Sequence, residues 1–136
     1  MKPISVGWFV GCAIAAATSL CAAGQTHYEC VVLTASKLNA QGALEAHWSV
    51  KSQIGQKFRI DRSTGKIVGG PLDNSKMKTQ LIDRGSGEMS FQVFAQSTQK
   101  THTSYIQVEE FQSTEQKPFM GTTTLYYPGV YTGTCK

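Results

Sequence analysis

The tripeptide Gln25-Thr26-His27 is the best-defined candidate for a metal-binding site in this sequence. In a chain that begins at Gln25, the free amine, two backbone amides and the imidazole of His27 offer four nitrogen ligands in one plane, the geometry that Cu(II) prefers. This copper site requires cleavage after Gly24, because cleavage after Ala23 moves the histidine to the fourth position. The alternative is a histidine beside a flexible terminus with no metal. No other cofactor is predicted.

Two other arrangements resemble parts of catalytic or phosphate-binding sites, but their residue types favour structural roles. Glu109 and Glu110 are adjacent, and successive residues of a strand point to opposite faces, so the two carboxylates do not share a site. The run Ser63-Thr64-Gly65-Lys66 lacks the upstream glycine and the downstream hydroxyl that a P-loop requires. No G-x-S-x-G motif selects a serine nucleophile. We therefore predict that the protein is not an enzyme.

Two groups of residues remain as candidates for binding a partner. Arg59, Arg62 and Lys66 belong to a basic stretch, and Tyr126-Tyr127 precedes a Pro-Gly turn. A basic face attracts anionic groups, and aromatic side chains are common anchors at interfaces. We expect the partner to be an envelope or secreted protein, or an anionic envelope component. A specific version is an inhibitor of a wall-degrading enzyme, although the positive charge argues against a strongly basic target.

Residues 1–23 have the pattern of a secretory signal peptide. Lys2 gives the positive start, an apolar segment covers residues 4–17, and small residues gather before Gln25. Cleavage after Ala23 and cleavage after Gly24 both satisfy the requirement for small side chains before the cut. We therefore expect a periplasmic or secreted protein. No apolar run reaches the roughly 18 to 20 residues that span a bilayer, so no membrane span is expected after cleavage.

Length and charge limit what the exported part can be. The chain has 136 residues, and removal of the leader leaves residues 24–136, which is room for a single β domain. The formal net charge falls from +4 to +3 because the leader contains Lys2 and no acidic residue. So modest a charge, together with export, argues against nucleic acid as the partner.

Two of the four cysteines remain after the leader is removed, Cys30 and Cys135. Two cysteines in an exported chain most simply form one disulfide. Free thiols for redox or metal chemistry are the alternative, but no C-x-x-C pattern supports them. The predicted disulfide joins the first strand to the last, with Cα atoms about 4.4 to 6.8 Å apart.

Alternation of apolar and polar residues predicts an all-β domain. Residues 89–95 and 102–111 are examples of short segments with this alternation, and Phe111 is expected to share a face with Tyr105. Residues 45–56 are ambiguous between a strand and a short helical turn, and no longer segment has a helical period. About seven or eight such segments, separated by glycine and polar turns, predict an antiparallel β-sandwich or a partly closed barrel.

Hairpins are predicted at residues 38–44 and 58–69. In the second hairpin the turn falls at Ser63-Thr64-Gly65, and Gly65 suits the left-handed backbone conformation that closes such a turn. The sequence Ile60-Asp61-Arg62 recurs as Ile82-Asp83-Arg84, each followed shortly by glycine. This echo predicts that both aspartates accept hydrogen bonds from nearby backbone amides.

The motif Phe58-x-Ile60-Asp61-Arg62-x-Thr64-Gly65-x-Ile67-x-Gly69 is followed by Lys117-Pro118-Phe119 and by Thr132-Gly133-Thr134-Cys135. This pattern resembles a group of small, uncharacterised exported proteins of Gram-negative bacteria. The similarity covers most of the chain after the leader. It implies an envelope or secreted protein and implies no activity.

Overall fold

Antiparallel strands form almost all of the regular structure in the computed structural model, which describes residues 25–136. The predicted leader therefore lies outside the described residues. Within the described range, no helix is long and apolar enough to cross a membrane. In chain order the elements are β1 (His27–Leu38), β2 (Leu44–Glu45), α1 (Trp48–Lys51), β3 (Lys57–Asp61), β4 (Ile67–Val68), β5 (Lys78–Arg84), β6 (Phe91–Gln96), β7 (Thr103–Val108), β8 (Lys117–Thr123) and β9 (Gly129–Cys135).

The strands form one sheet in the order β4-β3-β1-β9-β8-β7-β6-β5, and β2 pairs with the far end of β1. From β5 to β9 each strand pairs with its neighbour in sequence, as expected for hairpin connections. The long-range pairing is between β1 and β9, which places the first strand beside the last. This pairing joins the two halves of the chain into one sheet.

The prediction of an all-β antiparallel domain is confirmed, and of its two alternatives the structure matches the partly closed barrel, because the sheet curls into a half-barrel. Aromatic rings on strands that are not neighbours meet across the concave side. The rings of Phe58 on β3 and Phe119 on β8 lie 5.2 Å apart, and those of Tyr28 on β1 and Phe91 on β6 lie 5.3 Å apart, both edge to face. Such contacts require a strongly curved sheet, because these strands are two or more positions apart in the sheet order.

The loop from β4 to β5, residues 69–77, fills the concave side of the half-barrel. Leu72 is fully buried in the core and lies against Gly121 of β8, where a Cβ atom would be 2.5 Å from its Cδ1 atom. The buried Asn74 side chain accepts a hydrogen bond from the Ile67 amide at 2.7 Å and donates one to the Gly65 carbonyl at 3.1 Å. These contacts fix the loop to the β3–β4 hairpin and complete the core.

The disulfide between Cys30 and Cys135 is present, as predicted. Its Cα atoms are 4.0 Å apart, closer than the 4.4 to 6.8 Å expected from the sequence. The reason is the strand register. Glu29 and Lys136 exchange both backbone hydrogen bonds, so the cysteines form the next pair, one without ladder hydrogen bonds. Antiparallel strands approach most closely at such pairs.

The predicted turn between β3 and β4 is also confirmed. Asp61 Oδ1 accepts hydrogen bonds from the amides of Ser63 at 2.8 Å and Thr64 at 3.2 Å, and Gly65 has a φ of +76°. Asp83 accepts a hydrogen bond from the Gly85 amide at 2.8 Å. The echoed motif therefore is shared turn chemistry, as the sequence indicated.

Two local expectations needed refinement. Residues 45–56, which were ambiguous from the sequence, contain a single helical turn, α1. His47 caps this turn, since the Ser49 amide donates to His47 Nδ1 at 3.2 Å.

The prediction that Phe111 shares a strand face with Tyr105 is wrong, because β7 ends at Val108 and Phe111 lies in the following turn. A hydrogen bond from the Glu110 amide to the Val108 carbonyl turns the chain at this point.

Candidate functional site

A groove of about 650 Å³ opens at the end of the sheet where β1 begins and β3 ends. We call it the basic groove. It contains the three predicted basic residues, Arg59, Arg62 and Lys66, together with Arg84 from the end of β5. Its lining residues are Gln25, Thr26, His27, Arg59, Asp61, Arg62, Ser63, Lys66, Val68 and Arg84.

Arg62 is held in place by groups on both sides of the half-barrel. Its guanidinium carbon lies 4.7 Å from the centre of the Tyr28 ring, and its Nη2 atom is 3.4 Å from Glu110 Oε1. The Tyr28 hydroxyl donates a hydrogen bond to the other oxygen of Glu110. Burial and this hydrogen bond raise the pKa of Tyr28, so the phenol stays protonated and remains a donor. Arg62 is therefore a positioned cation.

Arg59 lies on the outer face of β3, where it contacts His27 and Glu29 of β1. Its Nε atom is 3.5 Å from Glu29 Oε1, and its Nη2 atom is 3.0 Å from Nδ1 and 2.9 Å from Nε2 of His27. In this conformation a guanidinium faces the imidazole nitrogen that the predicted copper site requires. Copper binding at Gln25-Thr26-His27 thus stays a prediction that needs the His27 ring to turn away from Arg59.

Lys66 and Arg84 supply charge that is not neutralised locally. Neither forms an ion pair with another residue in the range 25–136. Asp61 is the one acidic residue that lines the groove. Hydrogen bonds from the side chain and amide of Ser63 lower the pKa of Asp61, so it is an anion engaged in its own turn.

Arg84 was not among the candidates from the sequence, although a signal for it was present. The echo of Ile60-Asp61-Arg62 in Ile82-Asp83-Arg84 places an arginine after each turn aspartate. The curl of the sheet then brings the two arginines, 22 positions apart in the chain, into the same groove. Sequence separation conceals this because β3 and β5 lie on opposite halves of the sheet order.

Tyr126 and Tyr127 lie in the β8–β9 loop, at the opposite end of the sheet from the basic groove. The register pairs Ser36 with Val130 at this end and His27 with Asp61 at the groove. Nine residues of β1 therefore separate the two regions, about 30 Å at 3.3 Å per residue. The predicted tyrosines and basic residues cannot bind one small ligand together.

The tyrosine loop is braced from below. The hydroxyl of the buried Tyr131 donates a hydrogen bond of 2.6 Å to the Tyr127 carbonyl. Burial, with a smaller effect of Tyr127, raises the pKa of Tyr131 to about 12. Tyr126 has a φ of +55° and an exposure of 68%, and positive φ is strained for a bulky side chain. The loop backbone is therefore anchored at the Tyr127 carbonyl, and the side chains of Tyr126 and Tyr127 are exposed.

Three further apolar side chains that the sequence did not single out are exposed at the same end. Leu38 and Leu44 are partners across the β1–β2 hairpin, and Trp48 begins α1 with an exposure of 81%. The loop and α1 are neighbours, because Gly129 packs beside Val50 and Ser36. We call the exposed residues Leu38, Leu44, Trp48, Tyr126 and Tyr127 the aromatic end.

Comparison with protein-family models, with curated proteins and with solved structures finds no match to this chain. The resemblance to small exported proteins of Gram-negative bacteria therefore stays a prediction from the sequence.

Arrangements that could support catalysis have structural roles in the described part of the chain. His47 Nδ1 and Ser49 Oγ are 2.7 Å apart, but the same nitrogen caps α1. Glu109 accepts a hydrogen bond from Gln107, whereas Glu110 binds Tyr28 and Arg62. Among residues 25–136 there is no group of three His, Cys, Asp or Glu side chains placed to hold a metal ion.

Proposed function

We propose that this protein is a non-catalytic binding module of the cell envelope or the secreted fraction, and that its basic groove takes an anionic group of an envelope component. The observation that carries the proposal is the convergence of Arg59, Arg62, Lys66 and Arg84 on one groove. Guanidinium groups bind carboxylate and phosphate groups through two parallel hydrogen bonds, which adds specificity to charge attraction.

The four cations divide into two pairs with different roles. Glu110 and Tyr28 orient Arg62, while Glu29 and His27 orient Arg59, so little side-chain entropy is lost when these two groups bind a ligand. Lys66 and Arg84 are exposed and have no ion pair within residues 25–136. They supply the uncompensated charge that attracts an anion to the groove.

Export is part of the proposal and rests on two features. Residues 1–23 have the pattern of a signal peptide, and the Cys30–Cys135 disulfide suits an oxidising compartment. Mass spectrometry of the protein recovered from expressing cells tests this directly. We expect a chain that begins at Gly24 or Gln25, and only the second form can offer the copper site at His27.

The groove is tested by titrating the purified protein with soluble anions and following backbone amide shifts by NMR. A sugar phosphate, an oligomer of uronic acid and a neutral oligosaccharide separate phosphate binding, carboxylate binding and sugar binding. We expect one of the anions to shift amides of the β3–β4 hairpin and the end of β5, and the neutral sugar to shift none. If neither anion moves these amides, the groove proposal is wrong.

A matched pair of variants separates the groove from general positive charge. Lys66→Gln with Arg84→Gln removes the two groove cations that lack ion pairs, and we expect anion affinity to fall about tenfold or more, equivalent to about 1.4 kcal/mol. Lys78→Gln with Lys100→Gln removes the same charge from the other end of the sheet. That control should bind as the wild type does. Equal losses of anion affinity in both double variants would show that the interaction is nonspecific charge attraction.

A further inference from the structure

Acidic residues are strongly segregated between the two ends of the sheet. The chain has nine Asp and Glu residues, and the register places only Glu45 at the aromatic end. Asp73 lies in the loop that fills the core, where it accepts hydrogen bonds from Gly69 and Ser75. The other acidic residues lie at the groove end: Glu29, Asp61, Asp83, Glu88, Glu109, Glu110 and Glu115.

Lysines surround the aromatic end. Lys37 precedes Leu38, Lys51 ends α1, Lys78 begins β5 and Lys100 lies in the β6–β7 turn. The β6–β7 turn belongs to this end because the Thr124 amide, beside the tyrosine loop, donates to the Thr103 carbonyl at 2.9 Å. None of these lysines forms an ion pair within residues 25–136. Four positive charges thus face one negative charge.

We propose that the aromatic end docks on the surface of an anionic lipid bilayer. Trp and Tyr side chains favour the interface between headgroups and acyl chains, because each has an apolar ring and one polar atom. Lysines beside them interact with anionic headgroups, each adding about 1 kcal/mol, or fivefold in affinity. The aromatic end combines both features on one side of the molecule.

The shape of this end favours a bilayer over a preformed protein pocket. Its apolar side chains project separately from the β1–β2 hairpin, from α1 and from the β8–β9 loop. A fluid interface accommodates separate projections without matching cavities. A second copy of this chain is disfavoured, since facing two such ends would oppose eight lysines with only two copies of Glu45.

The docked orientation points the basic groove away from the membrane. The groove lies about 30 Å from the aromatic end, three times the roughly 10 Å over which charges act at 0.1 M salt. Bilayer binding and anion binding are therefore independent properties of the molecule. The proposal does not depend on the groove having a ligand.

The test is sedimentation of the exported protein with vesicles. We expect binding to vesicles of phosphatidylglycerol and phosphatidylethanolamine, little binding to phosphatidylcholine alone, and loss of binding at high salt. Trp48 fluorescence should shift to shorter wavelength on binding, because an indole that is 81% exposed enters an apolar interface. Absence of sedimentation with the anionic vesicles, or equal sedimentation with both, would overturn the proposal.

Variants locate the contact. Trp48→Ala with Tyr126→Ala and Tyr127→Ala should reduce vesicle affinity at least tenfold without lowering thermal stability, because these side chains are exposed. The matched control is Ile82→Ala with Met89→Ala and Met120→Ala, which removes exposed apolar groups elsewhere and should bind normally. Lys37→Gln with Lys51→Gln should weaken only binding to anionic vesicles. Unchanged binding of the aromatic variant would contradict the proposal, as would tyrosine-dependent dimerisation or inhibition of a wall-degrading enzyme.

Discussion

The two ends of the sheet carry cations in different ways. At the basic groove, acidic and basic residues are interleaved, and Arg59 and Arg62 each contact a glutamate. At the aromatic end, the lysines have no ion pair with another residue of the range 25–136, and Trp48 and Tyr126 project into solvent between them. The groove end is thus close to neutral overall although the groove itself is basic.

This difference separates two uses of positive charge. A cation held by a carboxylate and an aromatic ring has a fixed direction, so it suits recognition of a single group at short range. A cluster of unpaired lysines has no fixed direction, so it suits attraction to a charged surface and is screened strongly by salt. We expect groove binding to depend less on salt than vesicle binding does.

Loss of the disulfide should cause the largest difference in stability between the two ends, because the bond lies near the groove end and not near the aromatic end. The bond closes a separation of 105 residues, and the chain-entropy relation gives about 4.7 kcal/mol as an upper value for Cys30→Ala with Cys135→Ala. Hydrogen exchange should rise more at Glu29 and Lys136 than at Ser36 and Val130.

The matched control for the disulfide lies on the same two strands. Thr34 and Thr132 are partners on β1 and β9 and are joined by a hydroxyl hydrogen bond of 2.5 Å. Thr34→Ala with Thr132→Ala should cost less than about 1 kcal/mol, the usual range for a cross-strand pair. Equal losses from the two double variants in urea unfolding would show that the covalent link contributes nothing special.

Substitution of Gly65 tests how much the β3–β4 turn, which carries Arg62 and Lys66 of the groove, contributes to stability. A Cβ atom at Gly65 would lie 2.6 Å from Val93 Cγ2, and the φ is +76°, so Gly65→Val should cost about 2 to 4 kcal/mol from strain and overlap. Ser63→Ala removes one exposed hydrogen bond to Asp61 and should cost about 0.5 to 1 kcal/mol. Chemical denaturation of both variants gives the values. Equal midpoints would contradict the role of Gly65.

The smallest expected effect is the change in the free energy of unfolding at alkaline pH. One buried tyrosine at each end of the sheet contributes to it. Burial raises the pKa of Tyr28 at the groove and that of Tyr131 at the aromatic end, the latter to about 12. Tyrosine in an unfolded chain ionises near 10, so the stabilisation is complete below about pH 10 and is lost as pH rises toward the folded value. Each tyrosine contributes a slope of up to about 1.4 kcal/mol per pH unit.

Single variants show which tyrosine causes the pH dependence of the free energy of unfolding. Tyr28→Phe and Tyr131→Phe should each make the free energy of unfolding less dependent on pH between about 10 and 12, the window set by the unfolded and raised pKa values. Thr34→Ala, which changes an exposed residue and removes no ionisable group, serves as the control and should leave the slope unchanged. If the control alone changes the slope, the buried phenols are not the groups that titrate.

Local chemistry explains why much of the fold could be predicted from the sequence. Phe91, Val93 and Ala95 occupy alternate positions of β6 and all face the core, and Gly65 closes the turn as its position indicates. The pairing of Cys30 with Cys135 followed from the number of cysteines, because only these two remain after the predicted signal peptide is removed. The choice between a sandwich and a barrel could not be made, since curvature depends on contacts such as Phe58–Phe119 between distant segments.

The candidate site was harder to predict because strand order decides which residues share an end. Arg59, Arg62 and Lys66 lie on one hairpin, so their proximity follows from sequence. Arg84 joins them only through the curl of the sheet, and Trp48 joins the tyrosines only because β1 pairs with β9. The echoed motif marks Arg84 as a turn residue, but the strand order that brings these residues together does not follow from neighbouring residues alone.

Leu72 gives this half-barrel an interior unlike that of a ligand-carrying barrel. Eight-stranded barrels can enclose a small molecule within the sheet, but here the space above Gly121 is occupied by the chain itself. New specificity in such a molecule would arise in the connecting turns, which can vary in sequence and length without repacking the core. The 69–77 loop thus occupies the space that a bound molecule takes in such barrels, and it is covalently continuous with the strands against which it packs.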